Sequence, residues 1–294
     1  MQSKRAIFPG QWLPWVLLAP QLAITLIFFI WPAGQAVWFS FLRQDPFGLS
    51  STFIWFDNYA RIFRDPSYLK AINRTVVFAV GVTVLAMSIS ILLAVAVNRV
   101  IRANRVYSTL LVWPYAVAPV VAGALWWFMF NPTLGILPHA LKAFGITWNH
   151  RIDGNQAMLM VILAATWKQV SYNFLFFLAG LQSIPQSLTE AAAIDGAGPI
   201  RRFWTIVFPL LSPTTFFLLI ININYVLFDT FGTIDGATAG GPNAETTTLV
   251  YKVYADGVKG LNLGASAAQS VVLMGFVILL TFIQFRYVER RVQY

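Results

Sequence analysis

The sequence predicts an all-α integral membrane protein with six transmembrane helices. Hydrophobic residues make up 58% of the 294 residues, and charged residues only 11%, against about 25% in ordinary soluble domains. The mean hydropathy is +0.67. The apolar residues also form six runs of roughly 20 or more, the length that a helix needs to cross a hydrocarbon core of about 30 Å. We therefore expect a single transmembrane domain over residues 1–294, lying in a lipid bilayer.

The six predicted spans account for nearly all of the hydrophobic residues. The first is longer than one crossing needs, and we expect Pro20 and Pro32 to bend it or its end to extend beyond the bilayer. Lys4 and Arg5 resemble the start of a signal peptide, but the apolar run is too long and lacks a small-residue cleavage site, so it is interpreted as an uncleaved span. The predicted spans are 13–42, 75–98, 106–130, 156–181, 205–231 and 265–287.

The net charge of +9 is interpreted from where the charges fall. The two termini and the loops 99–105 and 182–204 hold ten basic and three acidic residues, whereas the loops 43–74, 131–155 and 232–264 hold nine basic and seven acidic ones. Because cytoplasmic segments carry the excess of Lys and Arg, both termini are predicted to be cytoplasmic. The charge then indicates topology, and no nucleic-acid partner is expected. The ten bases are Lys4, Arg5, Arg99, Arg102, Arg105, Arg201, Arg202, Arg286, Arg290 and Arg291.

The predicted cytoplasmic loop 182–204 contains signals for two short helices joined by a tight reversal. Ser187 and Glu190 have the spacing of a capping box, and three alanines at 191–193 favour a helix. Gly196 suits the left-handed position that ends a helix, and Pro199 suits the first turn of the next one. An alanine face outside the membrane could press into a groove on another protein, with Glu190 paired to a base there. An ordinary connector between two spans remains the alternative.

The same residues resemble the EAA loop of the permease subunits of binding-protein-dependent ABC importers. The resemblance rests on Glu190, Ala191, Ala192, Asp195, Gly196 and Ala197, followed by Phe203, Ile206 and Pro209. It extends over essentially the whole chain and is strongest in the maltose- and glycerol-phosphate-type branch, through LLVWPYAVAPVVAGALWWFMFNPTLGIL and TAGGPNAETTTLVYKVY.

The resemblance implies a type I importer architecture in the bacterial inner membrane, with loop 182–204 as a coupling helix. The implied partners are a second homologous permease, two copies of a cytosolic ATPase that bind ATP and Mg, and a periplasmic substrate-binding protein. It favours sn-glycerol-3-phosphate as substrate, with glycerophosphodiesters as further candidates and a neutral sugar or polyol as the alternative. The sequence has no Gly-Lys dipeptide and hence no Walker A motif. We therefore expect no cofactor and no ATPase site in this chain.

Polar residues within the spans are candidates for the substrate path, because ionisable groups there cost about 2.5–3.5 kcal/mol. Lys168 lies near the predicted midplane, where it could offer positive charge to an anionic substrate. Tyr172 shares its helix face, and Asn173 lies on a neighbouring one. Asn222 and Tyr225 form a polar stripe on span five. For Lys168, the alternatives are a salt bridge to Asp229, which the estimated depth difference disfavours, or contacts with backbone carbonyls or a partner subunit.

Two other functional classes are less consistent with the sequence. An ion-coupled secondary transporter needs several buried acids or histidines, and among the acids only Asp229 lies within a predicted span. A membrane enzyme needs a nucleophile, paired carboxylates or a metal site. The chain has no cysteine, and its two histidines, His139 and His150, both fall in an outer loop. No metal or disulfide site is expected.

Overall fold

The computed structural model describes residues 12–45, 50–98 and 104–288, without the side chains of 104, 105, 287 and 288. Of the charges used to predict orientation, Lys4, Arg5, Arg99, Arg102, Arg290 and Arg291 lie outside the described residues. The chain divides into two compact units, one formed by residues 1–62 and 255–272 and the other by residues 63–254 and 273–294.

The first unit begins with helix α1, Leu13–Ser40. The chain stays helical through Pro20, and a single turn of π-helix, Leu26–Ile30, precedes Pro32. A wider turn accommodates the carbonyl that a proline leaves without its usual donor. None of the residues Leu13–Ile30 is buried, so α1 presents apolar side chains all round, as a lipid-facing or subunit-facing span does.

A short hairpin follows α1. Strands β1, Leu42–Gln44, and β2, Ser51–Phe53, pair antiparallel with Leu42 opposite Phe53. Asn58 in the next helix, α2 (Asp57–Arg64), donates to the carbonyls of Ser40 and Leu42 at 2.8 and 2.9 Å. These bonds hold the start of α2 against the end of α1 and strand β1. The hydropathy pattern alone does not define this loop.

The second unit is built on two long helices, α3 (Pro66–Asn98) and, after three intervening helices, α7 (Gly154–Ser183). Small and medium-sized residues recur every four positions on α3, at Val82, Ala86, Ser90 and Ala94, and all four are fully buried. Such a stripe lets two helices approach closely. The most apolar stretch of α7 is largely buried, so α7 is the central helix of this unit.

The remaining helices complete the second unit and its links. Between α3 and α7 lie α4 (Asn104–Val112, extended by a 3₁₀ turn Trp113–Ala116), α5 (Pro119–Met129) and α6 (Ile136–Ala143). After α7 come α8 (Gln186–Ile194), α9 (Pro199–Arg202), π-helical Phe203–Val207, helical Phe208–Leu210, α10 (Ser212–Asp229), α11 (Phe231–Ala237), α12 (Leu249–Tyr254), π-helical Ala255–Lys259, α13 (Leu263–Ile283) and π-helical Gln284–Val288.

The third predicted span is broken, and the expectation of one continuous helix over 106–130 is wrong. Its halves, Val106–Ala116 and Pro119–Met129, meet at 102°. Pro114 and Pro119 each lack a backbone donor, and the residue before a proline is driven away from the helical region. Val117 and Ala118 are accordingly extended, with ψ of 130° and 140°.

The other spans are present. Among the described residues, five helices are long and apolar enough to cross a membrane, or six if the bent pair counts as one span. The second starts earlier than predicted, at Pro66. The fifth starts later, at Ser212, because Pro209 and Pro213 separate it from the segment before it.

Candidate functional site

The loop 182–204 forms two short helices, as the sequence predicts. Helix α8 ends in a Schellman motif. The N–H of Ala197 donates to the carbonyl of Ala192 at 2.9 Å, and the N–H of Gly196 donates to that of Ala193 at 3.1 Å. Gly196 has φ +80°, the left-handed conformation that the motif requires. Pro199 opens α9. The predicted reversal is therefore confirmed residue by residue.

The predicted capping box is not formed. Helix α8 begins at Gln186 after Pro185, and no side chain caps it. Ser187 thus lies two residues beyond the N-cap position that the capping box with Glu190 requires. Pro185 explains the shift, because proline suits the entry of a helix and sets the chain direction before Ser187 is reached.

The coupling-helix candidates lie on an exposed surface. Helix α8 contains no buried residue, and Glu190, Ala191, Asp195 and Gly196 are exposed, whereas Ala192 and Ala197 are half-buried. The carboxylate of Glu190 makes no ion pair within the described part of the chain. The side chain of Ile194 is 87% exposed, and that of Ile200 is 77% exposed. This combination of apolar side chains and an unpaired carboxylate is typical of a surface that another protein covers.

The sequence prediction, which rests on the alanines, does not include Ile194 and Ile200. The signal that identifies them is their apolar character in a helix predicted to lie outside the membrane. Arg202 fixes α8 to the chain that follows, since its Nη1 donates to the carbonyl of Thr189 at 3.1 Å. A force on α8 would therefore reach α9 and the entry of span five directly.

Lys168 lies at the break in span three. Its side chain is only 5% exposed, and its Nζ donates to the carbonyls of Tyr115 and Val117, the two residues that flank the end of the 3₁₀ turn. The ammonium therefore does not face an open cavity in this structure, and the salt bridge to Asp229 is not formed. Contact with backbone carbonyls, one of the alternatives from the sequence, is the observed arrangement.

The hydrogen bonds of Lys168 stabilise the break in span three. The carbonyls at the C-terminal end of a helix have no intrahelical partner and carry partial negative charge. Lys168 supplies them with a charged donor at the point where the two prolines interrupt the span. Tyr172, one turn further along α7, packs its ring against that of Tyr115 at 5.6 Å. Both candidates therefore hold the end of the N-terminal half of the broken span, Val106–Ala116, against α7.

The other three candidates join α7 to α10. The side-chain amides of Asn173 and Asn222 exchange two hydrogen bonds, of 3.1 and 3.0 Å, and both residues are fully buried. The hydroxyl of Tyr225 donates to the carbonyl of Ala165 at 3.3 Å. The structure thus separates the candidates into a pair at the break and a set of three between two spans.

The paired amides predict a measurable coupling. Asn222→Ala should leave the amide of Asn173 unsatisfied, and we expect each single substitution to destabilise the protein by about 1 kcal/mol, with a coupling energy of about 0.6–1.7 kcal/mol in the double-mutant cycle. Reversible unfolding of the full chain in mixed micelles measures these values. Asn224→Ala is the matched control, because Asn224 bonds only to the carbonyl of Ile220 in its own helix. Additive effects at 173 and 222 would contradict the pairing.

A cluster of ion pairs joins the first turns of α3, and the residue before it, to α12 and the segment that precedes α12. Glu245 pairs with Lys70 at 2.7 Å and with Arg74. Lys252 lies 3.7 Å from Asp65. Burial raises the pKa of Asp65, but the hydroxyl and N–H of Ser67 and the charge of Lys252 outweigh it, so that the pKa is lower than usual. In the sequence, the only indication of this cluster is the near balance of basic and acidic residues in the segments 43–74, 131–155 and 232–264.

His150 lies in the segment between α6 and α7, at the edge of a cavity of about 570 Å³ that Trp127 and Asp235 also line. Burial lowers the pKa of His150. The backbone of Phe130 opposes this shift by a smaller amount, and the charge of Arg151 makes the smallest contribution and lowers the pKa further. The neutral imidazole is therefore the form that the fold stabilises.

This shift predicts an acid-sensitive step in stability. A histidine whose pKa is lower in the folded state than in the unfolded state binds its proton on unfolding, so that its contribution is complete above pH 6.5 and declines as the pH falls below that value. The unfolding midpoint should decrease below pH 6.5 in the parent protein and decrease less in His150→Gln. His139→Gln is the control. Parallel pH profiles for parent and His150→Gln would contradict the assignment. Asp65 titrates far below this range and does not confuse it.

The sequence pattern of a known transport family matches the chain from residue 7 to residue 294, and its description is "Binding-protein-dependent transport system inner membrane component". The chain belongs to this family. It is therefore a multi-pass inner-membrane permease subunit of an ABC importer, as the EAA-like residues predict, and as a permease subunit it is not itself an enzyme.

Curated relatives match this permease over its full length. The sn-glycerol-3-phosphate transport system permease protein UgpA of Pectobacterium atrosepticum is 58% identical over 294 residues, which is 100% of both chains. The proteins of the same name from Brucella suis and Rhizobium meliloti are 59% and 56% identical over 291 residues, 99% of this chain and of each relative.

Solved structures match the permease fold. A chain of a bacterial ABC transporter involved in the import of the acidic polysaccharide alginate superposes with a TM-score of 0.78, over 94% of this chain and 96% of that chain, at 22% identity. A complex of the bacterial alginate transporter with its alginate-pentasaccharide-bound periplasmic protein gives the same TM-score, over 94% of this chain and 95% of that chain. At this identity the likeness shows the fold, and the predicted all-α membrane architecture is confirmed.

Proposed function

We propose that this permease forms half of the translocation pathway of an ATP-driven importer for sn-glycerol-3-phosphate. The observation that carries the proposal is the identity of 56–59% over the full length with permeases named for sn-glycerol-3-phosphate transport. Glycerophosphodiesters share the phosphoglycerol group and are further candidates. A neutral sugar or polyol is the alternative substrate, because related importers use the same fold for uncharged cargo.

The exposed helix α8 supports a docking role toward a cytosolic ATPase. In this proposal two ATPase copies bind ATP and Mg, and α8 inserts its alanine face, with Ile194 beside it, into a cleft on one of them. Glu190 pairs with a base of that ATPase. The Schellman motif at Gly196 and the bond from Arg202 to Thr189 would pass the movement of the ATPase to the spans. A second homologous permease completes the pathway, and a periplasmic binding protein delivers the substrate, as the alginate complex includes a periplasmic protein.

The proposed orientation places both termini and α8 in the cytoplasm. The natural absence of cysteine provides a clean background for testing it. Ser50→Cys should react with a membrane-impermeant maleimide on intact spheroplasts, whereas Ser183→Cys should react only after the membrane is permeabilised. Both serines are exposed, so accessibility within the protein does not limit the reaction. The reverse labelling pattern would contradict the orientation.

Within the pathway, we propose that the broken span three and its neighbours on α7 and α10 lie beside the substrate. Lys168 acts there as a positioning residue for the break, together with Tyr172. Asn173, Asn222 and Tyr225 hold the facing helices in register. The arrangement supports this role through hydrogen bonds to backbone carbonyls and between amides, which leave these side chains few donors for a substrate.

Uptake by cells tests the substrate proposal. Cells that lack this chain but keep its partners should regain uptake of radiolabelled sn-glycerol-3-phosphate when the chain is supplied. Excess glycerophosphocholine should compete if diesters share the path, whereas glycerol and maltose should not compete. Competition by maltose without competition by phosphoglycerol compounds would move the substrate to the neutral sugars.

A further inference from the structure

An apolar groove runs along the C-terminal part of α3. It has a volume of about 620 Å³, with Met87 and Ile91 on one wall and Phe203 and Trp204 of the π-helical segment on the other. Phe177 of α7 forms part of its lining. All of these residues belong to the second unit, and none of them is among the candidates for substrate or ATPase contact.

The groove adjoins a smaller cavity whose lining is partly polar. This second cavity has a volume of about 350 Å³ and shares Val95, Pro199 and Phe203 with the groove. Asn98 and Arg202 line its other side. The combined cleft is therefore apolar along most of its length and both polar and cationic at one end.

Arg202 has donor capacity that the chain does not use. A guanidinium carries five N–H donors, and the described contacts use one of them, the bond from Nη1 to Thr189. Its Nε is enclosed without a hydrogen-bond partner in the described part of the chain. An enclosed cationic donor without an acceptor is unfavourable, so an anionic oxygen at this end of the cleft would stabilise it.

The length of the cleft fits a lipid in one leaflet. From Met87 to Asn98 the wall on α3 rises about 16 Å at 1.5 Å per residue, close to the roughly 15 Å of hydrocarbon in one leaflet. Its cationic end lies at the loop that carries α8, and Trp204, a residue type that favours the membrane interface, lines the adjoining groove. Anionic headgroups are attracted to basic residues at this depth.

We propose that an anionic phospholipid occupies this cleft, with an acyl chain between α3 and the π-helical segment and its phosphate at Arg202. The charge complementarity at one end and the apolar length favour a lipid over a helix of another subunit, which would need no cation there. This site is independent of the substrate proposal. Because Arg202 also holds α8, the lipid would stabilise the coupling loop.

Photo-crosslinking tests the site on the assembled transporter in nanodiscs. Phosphatidylglycerol with a diazirine in its acyl chain is compared with phosphatidylcholine carrying the same chain, and labelled peptides are mapped by mass spectrometry. Both lipids carry a phosphate, but phosphatidylcholine also carries a choline cation, which Arg202 would repel. We therefore expect phosphatidylglycerol to label the segments 87–98 and 199–208 about tenfold more strongly.

Matched variants separate the charge from the groove. Arg202→Gln should reduce the labelling by phosphatidylglycerol to the level of phosphatidylcholine, whereas Arg201→Gln, which removes the same charge outside the cleft, should not. Ser88→Trp should fill the groove and abolish labelling, and Val84→Trp, one turn away, should not. Equal labelling by both lipids, no effect of Arg202→Gln in an assembled complex, or crosslinks from groove residues to a protein chain in place of lipid would overturn the proposal.

Discussion

Gly196→Val should reduce substrate uptake to below about a tenth of the parent rate while the permease remains in the membrane. Gly196 has φ +80°, a conformation that costs an L-residue roughly 1–2 kcal/mol and a β-branched residue more. An added Cβ would meet nothing within 4 Å, so the effect is conformational and involves no clash. Valine would displace the end of α8 and redirect the helix that we propose docks on the ATPase.

Gly198 provides a matched control for this change. It also has open space around an added Cβ, but its φ of −66° and ψ of 164° suit any residue. Gly198→Val should therefore keep uptake close to the parent level. The measurement is uptake together with co-purification of the ATPase. Full uptake by Gly196→Val would contradict the docking role of the loop, and equal loss in both variants would show that bulk alone disturbs it.

Lys168→Met should lower the maximal rate of uptake by about tenfold or more without changing the apparent KM. Methionine keeps most of the volume but leaves the carbonyls of Tyr115 and Val117 without their charged donor. Each unsatisfied buried group costs about 1–3 kcal/mol. The break in span three would relax to other geometries, and the fraction of transporters able to turn over would fall.

The kinetic pattern distinguishes positioning from substrate contact. If Lys168 acts on the break alone, the maximal rate falls by the same factor for sn-glycerol-3-phosphate and for a glycerophosphodiester, whose phosphate carries less charge. If Lys168 binds the phosphate, KM rises, and it rises more for the monoester. Lys168→Arg should restore part of the rate, because a guanidinium can also donate to two carbonyls. Unchanged uptake by Lys168→Met in an assembled complex would remove both roles.

The sequence predicts the features that depend on one residue and its neighbours. Gly196 and Pro199 mark the reversal within the loop 182–204 because left-handed backbone and a missing N–H are local requirements. The number of spans follows from runs of apolar residues in the same way.

Two kinds of feature were not predictable: those in which two local signals compete to set the start of a helix, and those that join residues far apart in sequence. Ser187 has the right spacing from Glu190 for a capping box, but the helix begins earlier, directly after Pro185, so that Ser187 does not occupy the N-cap position. Hydropathy averages over Pro114 and Pro119, so it does not register that together they break span three. The pairing of Asn173 with Asn222 and the ion pairs of Glu245 join residues far apart in sequence, and one sequence carries no information about such contacts.

The ATPase activity of the complete transporter tests the central claim most directly. The permease, its second permease, the ATPase and the binding protein are reconstituted in proteoliposomes, and hydrolysis is measured with saturating sn-glycerol-3-phosphate, glycerophosphocholine or maltose. We predict strong stimulation by sn-glycerol-3-phosphate that requires the binding protein and is lost in Gly196→Val, with no stimulation by maltose. Stimulation by maltose alone would contradict the substrate, and transport that continues without any ATPase would contradict the mechanism.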